Sequence, residues 1–113
     1  MSEESDVSDV AALLDNATVR QMLVEARTEA LSARELADRC GVSTPTVYRR
    51  LEALQRYDMM TETMHVDDDG HHHKVYSSDL ERVSFEFTDD GVEVVVSGGE
   101  SMSERFVRLV EEL

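Results

Sequence analysis

Apolar positions along this chain change period twice, from helical to alternating and back to helical. Val19, Met22, Leu23 and Ala26 recur at i, i+3, i+4 and i+7, which predicts one buried helical stripe. The helix that carries it is expected over roughly residues 9–29, with a break at Asp15-Asn16, residues suited to cap a helix start. Ser32 and Glu35 have the spacing of a capping box, and Leu31 and Leu36 occupy the hydrophobic-staple positions around it. Gly41 suits the end of that second helix, since glycine takes the left-handed conformation at little cost, and Val42 would plug the angle to the next. Ser43 or Thr44 then caps a third helix, about residues 43–57, with Pro45 in its first turn and Val47, Leu51 and Leu54 as its inward stripe.

From there the period is two. Met59–Val66 and His71–Ser77 flank Asp67-Asp68-Asp69-Gly70, a strong hairpin signal. In a second hairpin Val83, Phe85 and Phe87 alternate with Ser84, Glu86 and Thr88. The chain turns at Asp89-Asp90-Gly91, and Val92, Val94 and Val96 continue the apolar face. The last segment, after Gly98-Gly99, is expected to be a helix over about residues 100–113 with Met102, Phe106, Leu109, Val110 and Leu113 as its stripe.

These elements predict an α+β fold: a winged helix-turn-helix with three N-terminal helices, a β-hairpin wing at 59–77, a second β-hairpin and a C-terminal helix. Residues 1–8 are expected to be an acidic flexible N-terminus. Residues 9–80 would form the winged helix-turn-helix, and 81–113 the second hairpin and the C-terminal helix.

Charge sharpens this picture. The 113 residues carry a formal −14, with 25 acids against ten arginines and one lysine, Lys74. Such a balance should repel DNA, yet it is unevenly spread. Residues 1–15 hold five acids and no base, and residues 59–113 hold fourteen acids and four bases. Residues 16–58 hold seven arginines against six acids, so acidity is diluted only where the helix-turn-helix lies. Many acids with almost no lysine also suit a surface that must stay hydrated in concentrated salt.

Composition bounds the rest. A hydrophobic content of 41% is enough for a modest single core. No apolar run approaches a membrane span, the opening MSEESDVSD is unlike a secretory signal, and lone Cys40 can form no internal disulfide. A cytoplasmic protein is expected. No phosphate loop, nucleophile elbow or zinc-protease helix occurs, so neither enzymatic activity nor a cofactor is expected.

With Val47, Leu51 and Leu54 inward, the helical period puts Thr44, Pro45, Thr46, Tyr48 and Arg49 on the outer face of the third helix, behind the cap Ser43. Arg49 is the first choice for a bidentate contact to guanine, and the Thr46 methyl or hydroxyl could meet a thymine or a phosphate. Tyr48 offers a hydroxyl for a phosphate oxygen. Arg50 borders the buried stripe, which suits a phosphate contact or a pair with an acid, and Arg56 is better placed for backbone than bases. Arg34 could hold a phosphate at the start of the second helix or pair with Asp38 at i+4.

The wing tip, Asp67 to Asp69, is expected to stay out of the groove, while His72 and Lys74 on the returning strand could touch the DNA backbone. The run His71-His72-His73 invites a metal, with His71 and His73 on one strand face and one register setting His65 near His72. No cysteine pair is available and Cys40 belongs to the core, so polar wing residues are the favoured reading and no metal is expected.

The order of elements, with LLDNATVRQML, SARELADRCGVSTPTVYRRLEAL and DDDGHHHKVYSSDLERV, resembles the ArsR-type winged-helix transcriptional regulators, and more closely the small acidic members found in haloarchaea. The resemblance covers roughly residues 11–83. It implies a DNA-binding homodimer whose recognition helix reads the major groove while the wing lies over the adjacent backbone. The terminal helix would then meet its twin, the first helix being the other candidate surface and a monomer the simpler alternative. Two rival readings are a winged-helix protein-interaction module without DNA binding and a metal- or ligand-responsive sensor of the same fold.

Overall fold

The computed structural model describes residues 6–99 and 106–113. Four helices come first: α1 (Asp6–Asp15), α2 (Ala17–Thr28), α3 (Ala33–Cys40) and α4 (Thr44–Arg56). Five strands follow: β1 (Thr61–Val66), β2 (His72–Ser77), β3 (Leu80–Phe87), β4 (Gly91–Gly98) and β5 (Phe106–Glu112). The mixed α+β arrangement, with two small antiparallel sheets, agrees with a winged helix-turn-helix.

The expected first helix is two helices. Asn16 separates them, its side chain accepting from the Val19 amide at 3.0 Å, so the break falls where the cap-forming pair is. Residues 6–8, expected to be flexible, belong to α1, and Val7 is buried. The Ser32–Glu35 capping box is closed in both directions, at 2.8 and 3.1 Å. Gly41 takes φ +68° and ends α3 in the left-handed conformation. Ser43, capping α4, accepts from the Thr46 amide.

The expected C-terminal helix is a strand. β5 pairs antiparallel with β4, so the second sheet is three-stranded in the order β3-β4-β5. The physical reason is the period. Leu109 and Val110 adjoin in a helical stripe, but on a strand successive side chains point to opposite faces. Leu109 sits opposite Val94 and packs against the core, whereas Val110 is 58% exposed. Leu113, past the strand end, is exposed as well. Met102 and the side chain of Phe106 lie outside the described residues. The proposed stripe therefore does not form one surface.

One core joins both halves. Val92, Val94 and Val96 of β4 share a buried cluster with Val7, Val10 and Leu13 of α1, which continues through Met22, Leu36, Leu51 and Leu54. Gly91 is required by close approach, because a β-carbon there would lie 1.9 Å from the Glu111 carbonyl oxygen.

The first hairpin is held to the helices by a short bridge. Leu31, between α2 and α3, exchanges backbone hydrogen bonds with Tyr76 at 2.9 and 2.7 Å. The Ser78 hydroxyl donates to the Met59 carbonyl at 2.8 Å, and the Ser78 amide to the Ala26 carbonyl. Met59 and Met60, expected to open the first strand, are instead buried ahead of it. The hairpin thus has a fixed position relative to α4, which any joint contact with a ligand requires.

Candidate nucleic-acid interface

α4 presents a polar outer face because its apolar residues occupy one stripe. Val47, Leu51 and Leu54 are buried, while Pro45, Tyr48 and Arg49 are exposed and Thr44 and Thr46 half-buried. Tyr48 is 54% exposed, unusual for an aromatic side chain on a helix that otherwise packs well. The Thr46 hydroxyl oxygen accepts from Ser43 at 2.9 Å, so it is partly committed to the cap.

The seven arginines of residues 16–58 differ in how they are used. Arg39 is spoken for, pairing with Glu25 at 3.1 Å and Glu29 at 2.8 Å. These two carboxylates push its guanidinium further towards the charged form. Among the described residues Arg34, Arg49 and Arg56 are exposed and engage no acid. The Arg34–Asp38 pair does not form, which leaves Arg34 beside the capped start of α3. Arg50 is half-buried with its Nε buried and unpartnered, and no acid among the described residues pairs with it. An unpartnered buried guanidinium nitrogen carries a desolvation cost that an arriving acceptor would offset.

α4 and the hairpin together wall a cleft of about 560 Å³. Tyr48, Arg49, Glu52 and Gln55 line it from the helix, and Glu62, Lys74 and Tyr76 from the strands. Glu62 is the residue sequence reasoning missed. It lies 3.6 Å from the Lys74 ammonium and accepts from Gln55 at 3.3 Å, so the one lysine of the chain is already paired. The signal for it was present, since Glu62 and Lys74 lie two residues out of register across a hairpin whose turn was readable. Burial, with the Glu62 charge next, pushes the Tyr76 phenol above its ordinary range.

The hairpin register differs from the one weighed for a metal. His65 pairs with His73 and Val66 with His72, and the His65 and His73 rings meet edge to face at 5.0 Å. A shift by one residue moves a side chain to the other face, so His72 lies away from His65. At the tip, Asp67 Oδ1 accepts from the Asp69 and His71 amides, at 3.0 and 2.9 Å, which closes the turn. Asp67, Asp69 and His71 could bring ligand atoms within 4.8 Å of one another, but Asp67 is engaged in holding the turn. Burial raises the pKa of the Cys40 thiol, which suits packing rather than ligation.

A protein family described as "HTH domain" matches residues 17–59, from the start of α2 to just past α4. No curated protein and no solved structure matches the chain. The match covers less than half of the chain, lies in the segment where acids are diluted, and supports a helix-turn-helix domain there. That domain type is a DNA-binding one, associated with transcription regulation, and is not an enzyme family. No helix among the described residues is long and apolar enough to cross a membrane.

Proposed function

We propose that the chain is a sequence-specific transcriptional regulator that binds double-stranded DNA as a homodimer in the cytoplasm. α4 lies in the major groove, with Arg49 reading a guanine edge and Thr44, Thr46 and Tyr48 meeting neighbouring groups. Arg34, Arg50 and Arg56 take phosphates. The hairpin at 59–77 acts as a wing whose acidic tip stays clear of the groove while His72 faces the backbone. Ser43 and Pro45 shape the helix start that approaches the DNA.

The observation that carries this reading is the state of Arg49. In a chain of 25 acids it stands exposed, without an acid partner among the described residues, on a face backed by a complete buried stripe. A homodimer accords with the reading because paired recognition helices suit a two-fold operator. The exposed apolar groups of the second sheet, Phe87 and Val110 among them, offer surface for it. The surplus of acids suits a saline cytoplasm, as in the haloarchaeal proteins the sequence resembles.

The test is binding to the promoter fragments of the native genome over a series reaching molar salt. Wild type should select a fragment, and Arg49→Ala should lose that preference. Failure of both proteins to bind any fragment would leave the fold as a protein-interaction module, and equal binding of all fragments by both would remove sequence specificity from the reading. One observation favours that second reading: the Glu62–Lys74 pair and Glu52 put acids beside Arg49 in the same cleft.

A further inference from the structure

A second cavity, of about 280 Å³, opens between α2 and the start of β3. Leu23 and Val24 from the helix and Leu80 and Val83 from the strand make most of its lining apolar. Val24 is 64% exposed there, on the side of α2 that does not face the core. Three cationic side chains line the same cavity: Arg20, Arg27 and Arg82. Arg20 donates to the Leu14 carbonyl at 2.7 Å and Arg27 to the Leu80 carbonyl, which fixes both guanidiniums without neutralising them. Among the described residues no acid pairs with any of the three, although Arg39, Lys74 and Arg108 all have acid partners. Glu81 is the one acid in the lining, and its carboxylate lies towards Gly99.

Unpaired cations around an apolar cavity, in a chain with more than twice as many acids as bases, call for an anion with an apolar body. A guanidinium offers five donors in a planar fork that matches a carboxylate, and two or more such forks can share one. The volume is at the small end for ligand cavities, enough for a fused ring or a short acyl chain. We infer that this cavity binds a small organic carboxylate with an aryl or acyl body, its carboxylate held by Arg82 and Arg27 and its body against Val24 and Leu80.

The cavity straddles two parts that must keep their relation for DNA binding. α2 belongs to the helix-turn-helix domain, while Ser78 and Leu80 form the link from wing to second sheet and are tied to α2 through Ala26 and Arg27. A ligand here would bear on the wing position. That consequence rests on the proposed DNA function; the binding itself does not.

The full chain has no tryptophan, so 2-naphthoate can be followed by its own fluorescence without interference, with decanoate as the acyl probe by thermal shift. Saturable binding with one site per chain is expected, accompanied by a rise in melting temperature. The neutral isostere 2-naphthol should bind at least tenfold more weakly. Arg82→Gln should weaken naphthoate at least tenfold while leaving the melting temperature of the free protein unchanged, and Val24→Glu should abolish binding. The inference is overturned if neither carboxylate saturates, if naphthol binds as well as naphthoate, or if Arg82→Gln binds normally. It is also overturned if Val24→Glu changes only the mass by light scattering, which would mean a second copy covers the cavity. None of these readouts contains DNA, so their failure is distinct from failure of the regulator reading.

Discussion

The Tyr57 hydroxyl, one residue past the end of α4, donates to Asp9 Oδ2 at 2.7 Å and lies 3.2 Å from Asp6 Oδ1. This contact fastens the chain just past α4 to α1, and Tyr57 is only 4% exposed. Burial first, then the two carboxylates, push the phenol well above its usual range.

Removal of that hydroxyl should therefore cost stability in a pH-dependent way. Tyr57→Phe is expected to lose about 1 kcal/mol near neutrality, the net value of a good buried hydrogen bond. A folded-state pKa raised above that of the unfolded chain makes a contribution that is complete below about pH 10, where the unfolded phenol stays protonated. It declines as pH rises beyond that and is gone above the folded value. Urea midpoints of the two proteins should thus converge between neutral and strongly alkaline pH. A gap that stays constant would mean the hydroxyl is not held as described.

Gly91 gives a steric prediction. An alanine there would drive its β-carbon to 1.9 Å from the Glu111 carbonyl, a backbone atom that cannot swing aside. Gly91→Ala should destabilise by about 1–3 kcal/mol through displacement of β5. Gly70→Ala is the control, since its β-carbon would meet nothing within 4 Å and bears only the strain of φ +83°. Amide exchange should quicken throughout β5 in the first variant and only at the wing turn in the second.

How much of this was legible depended on whether the signal was local. Ser32, Glu35, Gly41 and Pro45 act within one turn of the chain, and the helices they delimit formed where those residues stand. The segment from Phe106 to Val110, apolar but for Arg108, has no such marker. Its spacing satisfies a helical and an alternating pattern alike, and pairing with β4 selects the strand. The site divides in the same way. The exposure of Tyr48 and Arg49 follows from the periodicity of one helix, whereas the Glu62–Lys74–Tyr76 grouping depends on hairpin register. The three-arginine cavity joins residues as far apart as Arg20 and Arg82, which no spacing rule connects.

Lys74 is predicted to be restrained rather than idle. Its ammonium lies 3.6 Å from the Glu62 carboxylate, an acid that competes with any arriving phosphate. Glu62→Gln should release it, strengthening DNA binding and steepening the dependence of log K on log salt by up to about one unit. Gln55 can keep a hydrogen bond to the new amide, so the fold should be little affected. An unchanged slope would mean that the wing strand does not meet the backbone.

Arg34 and Arg39, five residues apart on α3, separate phosphate contact from structural pairing. Arg39 holds Glu25 and Glu29, whereas Arg34 has no acid partner among the described residues. Arg34→Ala should weaken binding equally for every DNA sequence and lower the salt slope by about one unit, the mark of a lost phosphate contact. Arg39→Ala should leave the slope alone, and its effect should appear in thermal stability instead, through loss of the links from α3 to Glu25 and Glu29. The two variants also bear on how so acidic a chain approaches DNA. Affinity gained by releasing counterions falls as a power of the salt concentration, so few phosphate contacts mean a shallow slope and binding that survives in brine. With most of the described cations paired or turned to the second cavity, this chain should show a shallow slope from the outset. Its specificity would then rest on the direct fit of Tyr48 and Arg49 against the bases, and a steep slope in the wild type would overturn that view.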